Sequence, residues 1–292
     1  MPHASVIIAT HNRANELRAC LAALSRQSAR DSFEVVVVDN GSHDETPSVL
    51  AAAGSAGVRR VYEAQPNRGK ARNAGIAAAR GELIIFCDDD TLAPEGFVAA
   101  HVAAHAAAPN SVVSGPIINV PDAAHLVRPS HRHYSRAFFC TCNVSVSRTA
   151  LLAVGGFDEQ YDLYGWEDTD LGIRLRTKGL RRIFAWPAYL YHIKPPHPHA
   201  LERRRALATE KGTMAARFVR KTPSWPVKLA TGAYTANFAR AAIFAAAPMR
   251  RLCERLANGA RPGSILAAWA TETLVDAAYI DALKSALRQP RC

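Results

Sequence analysis

The stretch FEVVVVDNGS, residues 33–42, is the part of the sequence that decides the fold. Its four consecutive valines predict a strand that is buried on both faces, which is typical of a parallel sheet. The polar residues DNGSHDET (39–46) follow and supply the turn and the helix cap. A helix is therefore expected around residues 47–53. A strand, a turn and a helix in this order form the repeating unit of an α/β protein.

The same unit occurs on both sides of this stretch. SVIIAT (5–10) predicts a strand before the periodic helix NELRACLAALSRQ (15–27), and RRVYEA (59–64) predicts a strand before the helix ARNAGIAAARG (71–81). ELIIFCDDD (82–90) predicts a further buried strand. We therefore expect an α/β fold with a mainly parallel sheet flanked by helices. Ligands of such sheets bind beyond the carboxyl ends of the strands.

The second half of the chain is less regular. SVVSGPI (111–117), FFCTCNVSVSR (138–148) and IFAWPAYLYHIK (183–194) each predict one strand, and WEDTDLGIRLRTKG (166–179) predicts a helix with an acidic start and a basic end. The proline and histidine cluster PPHPHA (195–200) marks a candidate boundary. We expect two domains, residues 1–197 and a helical extension, residues 198–292.

The net charge of +11 is concentrated in this extension. Residues 198–292 carry 16 Lys and Arg against six Asp and Glu, a pattern that attracts nucleic acid, an anionic membrane surface or a polyanion. WPVKLATGAYTANFARAAIFAAAP (225–248) approaches the length of about 20 residues that a membrane span needs. Lys228, Asn237 and Arg240 interrupt it, so an interfacial or packed helix is expected.

The composition places limits on the class of protein. With 292 residues, 49% hydrophobic and 21% charged, the chain has the composition of a globular protein and differs from disordered or collagenous chains. Its six cysteines form no CxxC pair, so reduced thiols are expected. MPHASVIIATHNR shows no secretory signal pattern, and the expected location is the cytoplasm.

Three consecutive carboxylates, Asp88, Asp89 and Asp90, end the strand predicted at residues 82–90. Like charges this close raise each other's pKa values, and a divalent cation relieves the conflict. Strand alternation predicts that Asp88 and Asp90 face one site while Asp89 turns elsewhere. Hard oxygen ligands suit Mg²⁺ or Mn²⁺. The alternative is a cluster that caps the helix after Pro94.

Four further features carry possible chemistry, each with a structural alternative. Asp39 is placed to bind a ribose or base, or to form a turn. Residues 67–75 combine cations and glycines at a helix start, which suits phosphate or a solvated face. The pair Glu167 and Asp168 offers a general base or a helix cap. His192 ends the last predicted strand, as a ligand or as a structural histidine.

The order of these motifs resembles that of a known family. IIATHNR, VVVVDNGSHDET, NRGKARNAGI, IIFCDDD, GGFDE, WEDTDLGIRL and YHIK are similar, in sequence order, to the motifs of family-two glycosyltransferases with the GT-A fold. Members of that family are inverting enzymes that use nucleotide sugars. The resemblance covers about residues 4–195. It implies that residues 1–197 are a GT-A, Rossmann-like catalytic domain.

The resemblance also implies roles for individual residues. The residues that it places at the nucleotide-sugar donor are Thr10, Arg13, Asp39, Arg72, Asn73, Asp88 and Asp89, with Asp39 at the uracil or ribose. Asp88 and Asp90 resemble the DxD pair that holds Mn²⁺ or Mg²⁺, and His192 resembles its third ligand. Asp168 resembles the catalytic base, and Trp166 with Glu167 would line the acceptor pocket.

The expected function is transfer of one sugar from a nucleotide sugar, with UDP as the expected nucleotide, to a carbohydrate or lipid-linked acceptor. The QxxRW segment of processive relatives is not found in the sequence, which favours a single transfer. The basic extension suggests peripheral attachment to an anionic inner membrane face, or a packed helical cap, while no nucleic-acid reader motif occurs.

Three alternatives remain open. They are an inactive binding protein of the same fold, a nucleotidyltransferase, and a zinc site drawn from His131, His133, Cys140, Cys142, His192, His197 and His199.

Overall fold

A computed structural model describes residues 3–28, 32–54, 57–196, 200–259 and 264–289. It divides into two compact units. The first comprises Met1–Asp162 with Glu167–Pro195, and the second comprises Leu163–Trp166 with Pro196–Cys292. The predicted boundary at 197, like His197 and His199 of the zinc alternative, lies outside the described residues.

The first unit is built on a seven-stranded sheet. In spatial order its strands are β3 (Val58–Tyr62), β2 (Phe33–Asp39), β1 (Ala4–Thr10), β4 (Leu83–Cys87), β8 (Asn143–Ser147), β6 (Ser111–Ser114) and β9 (Arg181–Phe184). Strand β8 runs antiparallel to both of its neighbours, and the other neighbouring pairs are parallel. The predicted mainly parallel α/β fold is confirmed.

Helices cover both faces of this sheet. They are α1 (Ala14–Leu24), α2 (Thr46–Gly54), α3 (Arg68–Ala78), α4 (Phe97–Ala107), α5 (Arg148–Ala153) and α6 (Glu167–Thr177), with a short 3₁₀ helix at His131–His133. Val6 and Ile8 pack into one hydrophobic cluster with Leu17 of α1, whereas Ile7 packs into another with Ile76 of α3. Burial on both faces explains the unbroken apolar runs.

A second sheet of three strands lies in the same unit. Its order is β5 (Thr91–Leu92), β10 (Leu190–Ile193) and β7 (Ile117–Val120). Two of the predicted strands therefore divide between the two sheets. Residues 111–117 divide at Gly115 and Pro116, and residues 183–194 divide at Trp186 and Pro187. Proline supplies no N–H to a sheet ladder, so neither segment continues as one strand, and the chain changes sheet.

The second unit is helical. Its helices are α7 (Ala200–Lys221), α8 (Trp225–Thr231), α9 (Thr235–Ala245), α10 (Ala247–Gly259) and α11 (Ile265–Arg288). Helices α7 and α11 approach closely at Gly212, where a Cβ atom would meet the carbonyl oxygen of Tyr279. Ala215, Ala216 and Leu283 fill the interface beside it. Small residues thus allow the two longest helices to pack.

The apolar stretch 225–248 does not form one long helix. Helix α8 ends at Gly232, which has a left-handed φ of 72°, and α9 begins at Thr235. Glycine adopts this conformation without a Cβ penalty, so it terminates the helix. Within the described ranges, no helix combines the length and the hydrophobicity that crossing a membrane requires.

Candidate active site

The candidate site lies at the carboxyl edge of the seven-stranded sheet. Strands β1 and β2 end together there, with Thr10 opposite Asp39, and β4 ends at Cys87. Because β8 is antiparallel to β4 and pairs Asn143 with Cys87, the residues that precede β8 reach the same edge. Thr141 and Cys142 therefore join the aspartates that follow β4.

The three aspartates lie after the strand rather than within it. Thr10 donates a hydrogen bond to Asp89 at 2.7 Å, and Arg13 Nη1 donates to both Asp89 and Asp90, at 3.0 and 2.8 Å. The prediction that Asp89 turns elsewhere was wrong, because strand alternation stops at Cys87. The capping alternative was also wrong, since helix α4 has Gly96 at its N-cap.

The shared arginine leaves the two carboxyl groups with opposite pKa shifts. Burial raises the pKa of Asp89 to about 6, although Arg13 and Thr10 oppose the shift. Burial acts in the same direction on Asp90, but His192 and Arg13 outweigh it and hold the pKa of this carboxyl well below its usual range. Asp90 is therefore the more firmly ionised of the pair.

The pairing of the second sheet brings His192 to these aspartates. Strand β10 pairs with β5 so that His192 lies opposite Thr91, the residue that follows Asp90. As a result, His192 Nε2 lies 2.9 Å from Asp90 Oδ1. Asp88 also lies here, and one ligand atom each of Asp88, His192 and Cys142 falls within 4.8 Å of the other two.

These residues fit a divalent cation. Asp90 Oδ1 is buried, and His192 Nε2 is its neighbour at 2.9 Å. A carboxylate oxygen has two lone pairs, so one contact leaves room for a further partner. Asp88 shares a group of potential ligand atoms with His192 and Cys142, and Asp90 lies beside the same imidazole. The carboxylates suit Mn²⁺ or Mg²⁺, with other positions left for substrate oxygens or water.

Arg72, on α3, lies among three carboxylates at the same edge. Its guanidinium is 3.2 Å from Glu167 and 3.8 Å from both Asp168 and Asp88. Burial acts to lower the pKa of Arg72, but the carboxylates outweigh burial and raise it. The Arg72 guanidinium thus connects Asp88, which follows β4, to the start of helix α6, which carries Glu167 and Asp168.

The two carboxylate oxygens of Asp168 have different surroundings. Its Oδ2 accepts hydrogen bonds from the Thr141 backbone N–H at 2.8 Å and hydroxyl at 3.1 Å. Its Oδ1 is buried and, within the described part of the chain, accepts no hydrogen bond. Burial raises the pKa of Asp168 to about 6, against the influence of Arg72. Arg72 Nη1, 3.8 Å away, is the charged neighbour of this oxygen.

Two residues that were predicted to bind the nucleotide sugar, Asn73 and Asp39, contact other parts of the protein. The Asn73 side chain exchanges hydrogen bonds with the Phe157 backbone at 2.8 and 2.9 Å and donates to Glu159. Asp39 accepts a hydrogen bond from the Ser42 backbone and pairs with Arg60 at 2.9 Å. Binding of the nucleotide sugar by Asn73 and Asp39 stays a prediction.

Trp166 belongs to the helical unit, although Glu167 belongs to the sheet unit. The Trp166 ring stacks on Phe218 with centroids 5.5 Å apart, and its Nε1 donates to the Lys211 carbonyl at 3.0 Å. The acceptor-binding role of Trp166 and Glu167 stays a prediction.

Thr141 was not predicted at this edge, and Cys142 was predicted near His192 only in the zinc alternative. Both were expected inside a strand at residues 138–148, whereas β8 begins at Asn143. The five cysteines in the described ranges are free thiols. Of the residues in the zinc alternative, the structure groups Cys142 and His192 with Asp88.

Comparison with known proteins identifies the family. The profile of glycosyl transferase family 2 matches residues 5–158, and the profile described as the N-terminal domain of galactosyltransferase matches residues 123–199. The chain belongs to glycosyl transferase family 2, and its fold is GT-A. The predicted family and fold are confirmed.

Individual relatives agree with this assignment. Validoxylamine A glucosyltransferase of Streptomyces hygroscopicus subsp. jinggangensis is 32% identical over 267 residues, which cover 77% of this chain and 62% of the relative. The uncharacterized glycosyltransferase YfnE of Bacillus subtilis is 30% identical over 239 residues, 61% of each chain. The chain thus spans about three fifths of the length of these curated relatives.

Solved structures share the fold. The mannosyltransferase PcManGT from Pyrobaculum calidifontis, in complex with GDP-Man and Mn²⁺, has a TM-score of 0.65 and 24% identity, over 98% of this chain and 87% of that one. S. aureus TarS 1-349 in complex with UDP-GlcNAc has a TM-score of 0.60 and 18% identity, over 98% of this chain and 91% of that one.

Replacement of Arg72 by methionine tests whether its charge holds the site together. We expect Arg72→Met to lower the free energy of unfolding by about 3–5 kcal/mol, because it leaves buried carboxylates without a counter-charge. Urea unfolding at neutral pH, followed by circular dichroism, measures this change. Arg18→Met is the control, because Arg18 is exposed and its ion pair contributes less than about 1 kcal/mol. Equal losses in both variants would contradict the prediction.

Proposed function

We propose that the protein transfers one sugar, with inversion, from a nucleotide sugar to an acceptor hydroxyl, and that Asp168 is the catalytic base. The observation that carries this proposal is the asymmetric environment of Asp168. Thr141 fixes Oδ2 at 2.8 Å, so Oδ1 is held in one direction. A base in this position orients the hydroxyl and also receives its proton.

The proposed reaction is a single displacement. As the acceptor oxygen bonds to the anomeric carbon, its proton passes to Asp168 Oδ1, and the bond from that carbon to the diphosphate breaks. Attack from the face opposite the leaving group inverts the anomeric centre. The pKa of Asp168, raised to about 6, leaves the carboxylate ionised at neutral pH and makes it a stronger base than an exposed aspartate.

Asp88, Asp90 and His192 would hold a divalent cation, Mn²⁺ or Mg²⁺. When bound, such a cation neutralises charge on a departing diphosphate. Arg72 keeps its positive charge beside Asp88 and limits repulsion among the carboxylates before the cation binds. The support is that Asp88 and Asp90 each lie near the His192 imidazole, together with the Mn²⁺ present in the PcManGT complex.

For the donor we propose a UDP-sugar, and for the acceptor a glycan or lipid-linked saccharide. TarS binds UDP-GlcNAc, whereas PcManGT binds GDP-Man, so UDP- and GDP-sugars form the test panel. Release of UDP or GDP in the presence of Mn²⁺ reports donor turnover even without the acceptor. An inactive binding protein would bind a donor without turning it over, and a nucleotidyltransferase would release pyrophosphate.

The Asp168→Asn variant tests the proposed base. We expect kcat to fall by about 10²–10⁴-fold, the usual contribution of a general base. In the native protein kcat/KM should rise with pH through about 6, because Asp168 must lose its proton to act. The residual activity of Asp168→Asn should lack this rise. Initial rates of nucleotide release across a pH series measure both effects.

Asp162→Asn is the matched control, because Asp162 is an exposed carboxylate of the same unit. Its rate and pH profile should match those of the native protein. Full activity in Asp168→Asn, or an unchanged pH profile, would remove Asp168 from the role of base.

Removal of divalent cations tests the proposed metal site. Exhaustive chelation should abolish donor turnover, and Mn²⁺ should restore it. Asp90→Asn should raise the Mn²⁺ concentration for half-maximal rate by at least about tenfold, since even a supporting contact to a metal ligand contributes this much. The exposed Asp122 provides the control variant, Asp122→Asn. Turnover that is insensitive to chelation would exclude the metal site.

We further propose that the helical unit attaches to an anionic membrane surface. Large apolar side chains are exposed on these helices, among them Trp225 at 62% and Ile243 at 67%. Residues 198–292 also carry the excess of Lys and Arg. A cation near an anionic leaflet contributes about 1 kcal/mol, and inserted apolar side chains add to this. The inner face of the plasma membrane would then be the place of transfer.

Sedimentation with anionic liposomes measures this attachment for the full chain. We expect the protein to pellet with anionic vesicles at low salt and to be released by high salt. A Trp225→Ser, Ile243→Ser double variant should pellet less. The control is a Leu126→Ser, Leu152→Ser double variant, which removes exposed apolar side chains from the other unit. Equal pelleting with neutral and anionic vesicles would contradict the proposal.

A further inference from the structure

Cys142 is a potential metal ligand that the proposed transfer does not use. Its side chain is buried, and its Sγ lies 3.6 Å from His192 Nδ1. Ligand atoms of Cys142, His192 and Asp88 fall within 4.8 Å of one another. A thiol, an imidazole and a carboxylate thus lie close together.

The two ring nitrogens of His192 face different partners. Nε2 lies 2.9 Å from Asp90 Oδ1, whereas Nδ1 faces the sulfur of Cys142. The neighbouring carboxylate favours a proton on Nε2, which leaves the Nδ1 lone pair directed to the side of Cys142. Nδ1 is therefore the nitrogen that can share a cation with the sulfur.

The spacing of these two atoms fits a tetrahedral metal site. Zinc bonds of about 2.3 Å to sulfur and about 2.0 Å to nitrogen, at a tetrahedral angle, separate the two ligand atoms by about 3.5 Å. The observed separation of 3.6 Å needs almost no adjustment. Asp88 is partly exposed, so its carboxylate can turn to supply the third ligand, and water can take the fourth position.

We propose that Asp88, Cys142 and His192 form a binding site for a thiophilic divalent cation of the Zn²⁺ class. Sulfur and nitrogen ligands favour such cations over Mg²⁺ and Mn²⁺. The thiol of Cys142 gives its proton to buffer as the bond from sulfur to metal forms. The thiolate and the Asp88 carboxylate then balance the two positive charges of the cation.

This site overlaps the cation site of the proposed function. Both use Asp88 and His192, so a Zn²⁺ ion held by Cys142 would displace the Mn²⁺ or Mg²⁺ that supports transfer. Only this competition rests on the proposed function. Binding of the thiophilic cation is a property of the three side chains and can be measured without any substrate.

Co²⁺ is the probe for the experiment, because a cobalt–thiolate bond produces a charge-transfer absorption in the near ultraviolet. The reduced, metal-free full chain is titrated with Co²⁺ and then with Zn²⁺. We expect an absorption equivalent to one thiolate, which Zn²⁺ abolishes. Cys142→Ser should lack the absorption and bind Zn²⁺ at least about tenfold more weakly by calorimetry. Cys140→Ser, two residues away, should retain both properties.

Two results would overturn the proposal. One is the absence of a thiolate absorption in the native protein, and the other is the same absorption in Cys142→Ser. Asp88→Asn provides a second variant should Cys142→Ser fail to fold. It should keep the thiolate absorption but weaken Zn²⁺ binding, and unchanged affinity would contradict a role for Asp88. None of these measurements depends on sugar transfer, so failure of the proposed function would be seen separately.

Discussion

The candidate site depends on a buried positive charge held among carboxylates from separate parts of the chain. Arg72 reaches Glu167, Asp168 and Asp88, which begin a helix or follow a strand distant in sequence. Carboxylates this close repel one another, and removing the cation between them would leave the buried Glu167 without a counter-charge. The guanidinium lets them remain together while Asp90 and His192 form their own pair beside them. The arrangement of the whole edge follows from this balance of charge.

The first 90 residues show how much of such a fold can be predicted from sequence. Continuous apolar runs such as the valines of β2 identify strands buried on both faces, because that signal is local. The later strands were harder, because Gly115–Pro116 and Trp186–Pro187 send the chain from one sheet to another, and the partner of each short strand is set by distant residues. Pairing of His192 with Thr91 is one such non-local fact, and no pattern near His192 indicates it.

The candidate site was predicted in its parts but not in its connections. The aspartates, Arg72, Asp168 and His192 were identified from their positions after strands or at helix starts. The link from Thr141 to Asp168 was not, and Cys142 was grouped with His192 only in the zinc alternative, because the contacts of both residues depend on the direction of β8. No sequence pattern indicated that the Asn73 side chain bonds the backbone of Phe157, because an amide beside basic residues can equally well bind a phosphate.

The reversed direction of β8 has a further consequence for how such proteins diversify. The site residues of β1, β2 and β4 lie at the last residue of the strand or just after it. Thr141 and Cys142, in contrast, lie just before the first residue of β8. Mutations, insertions or deletions in that preceding segment can thus remodel one side of this edge while the ends of β1, β2 and β4 keep their framework. Evolution can in this way change the chemistry of one side of the edge without rebuilding the other.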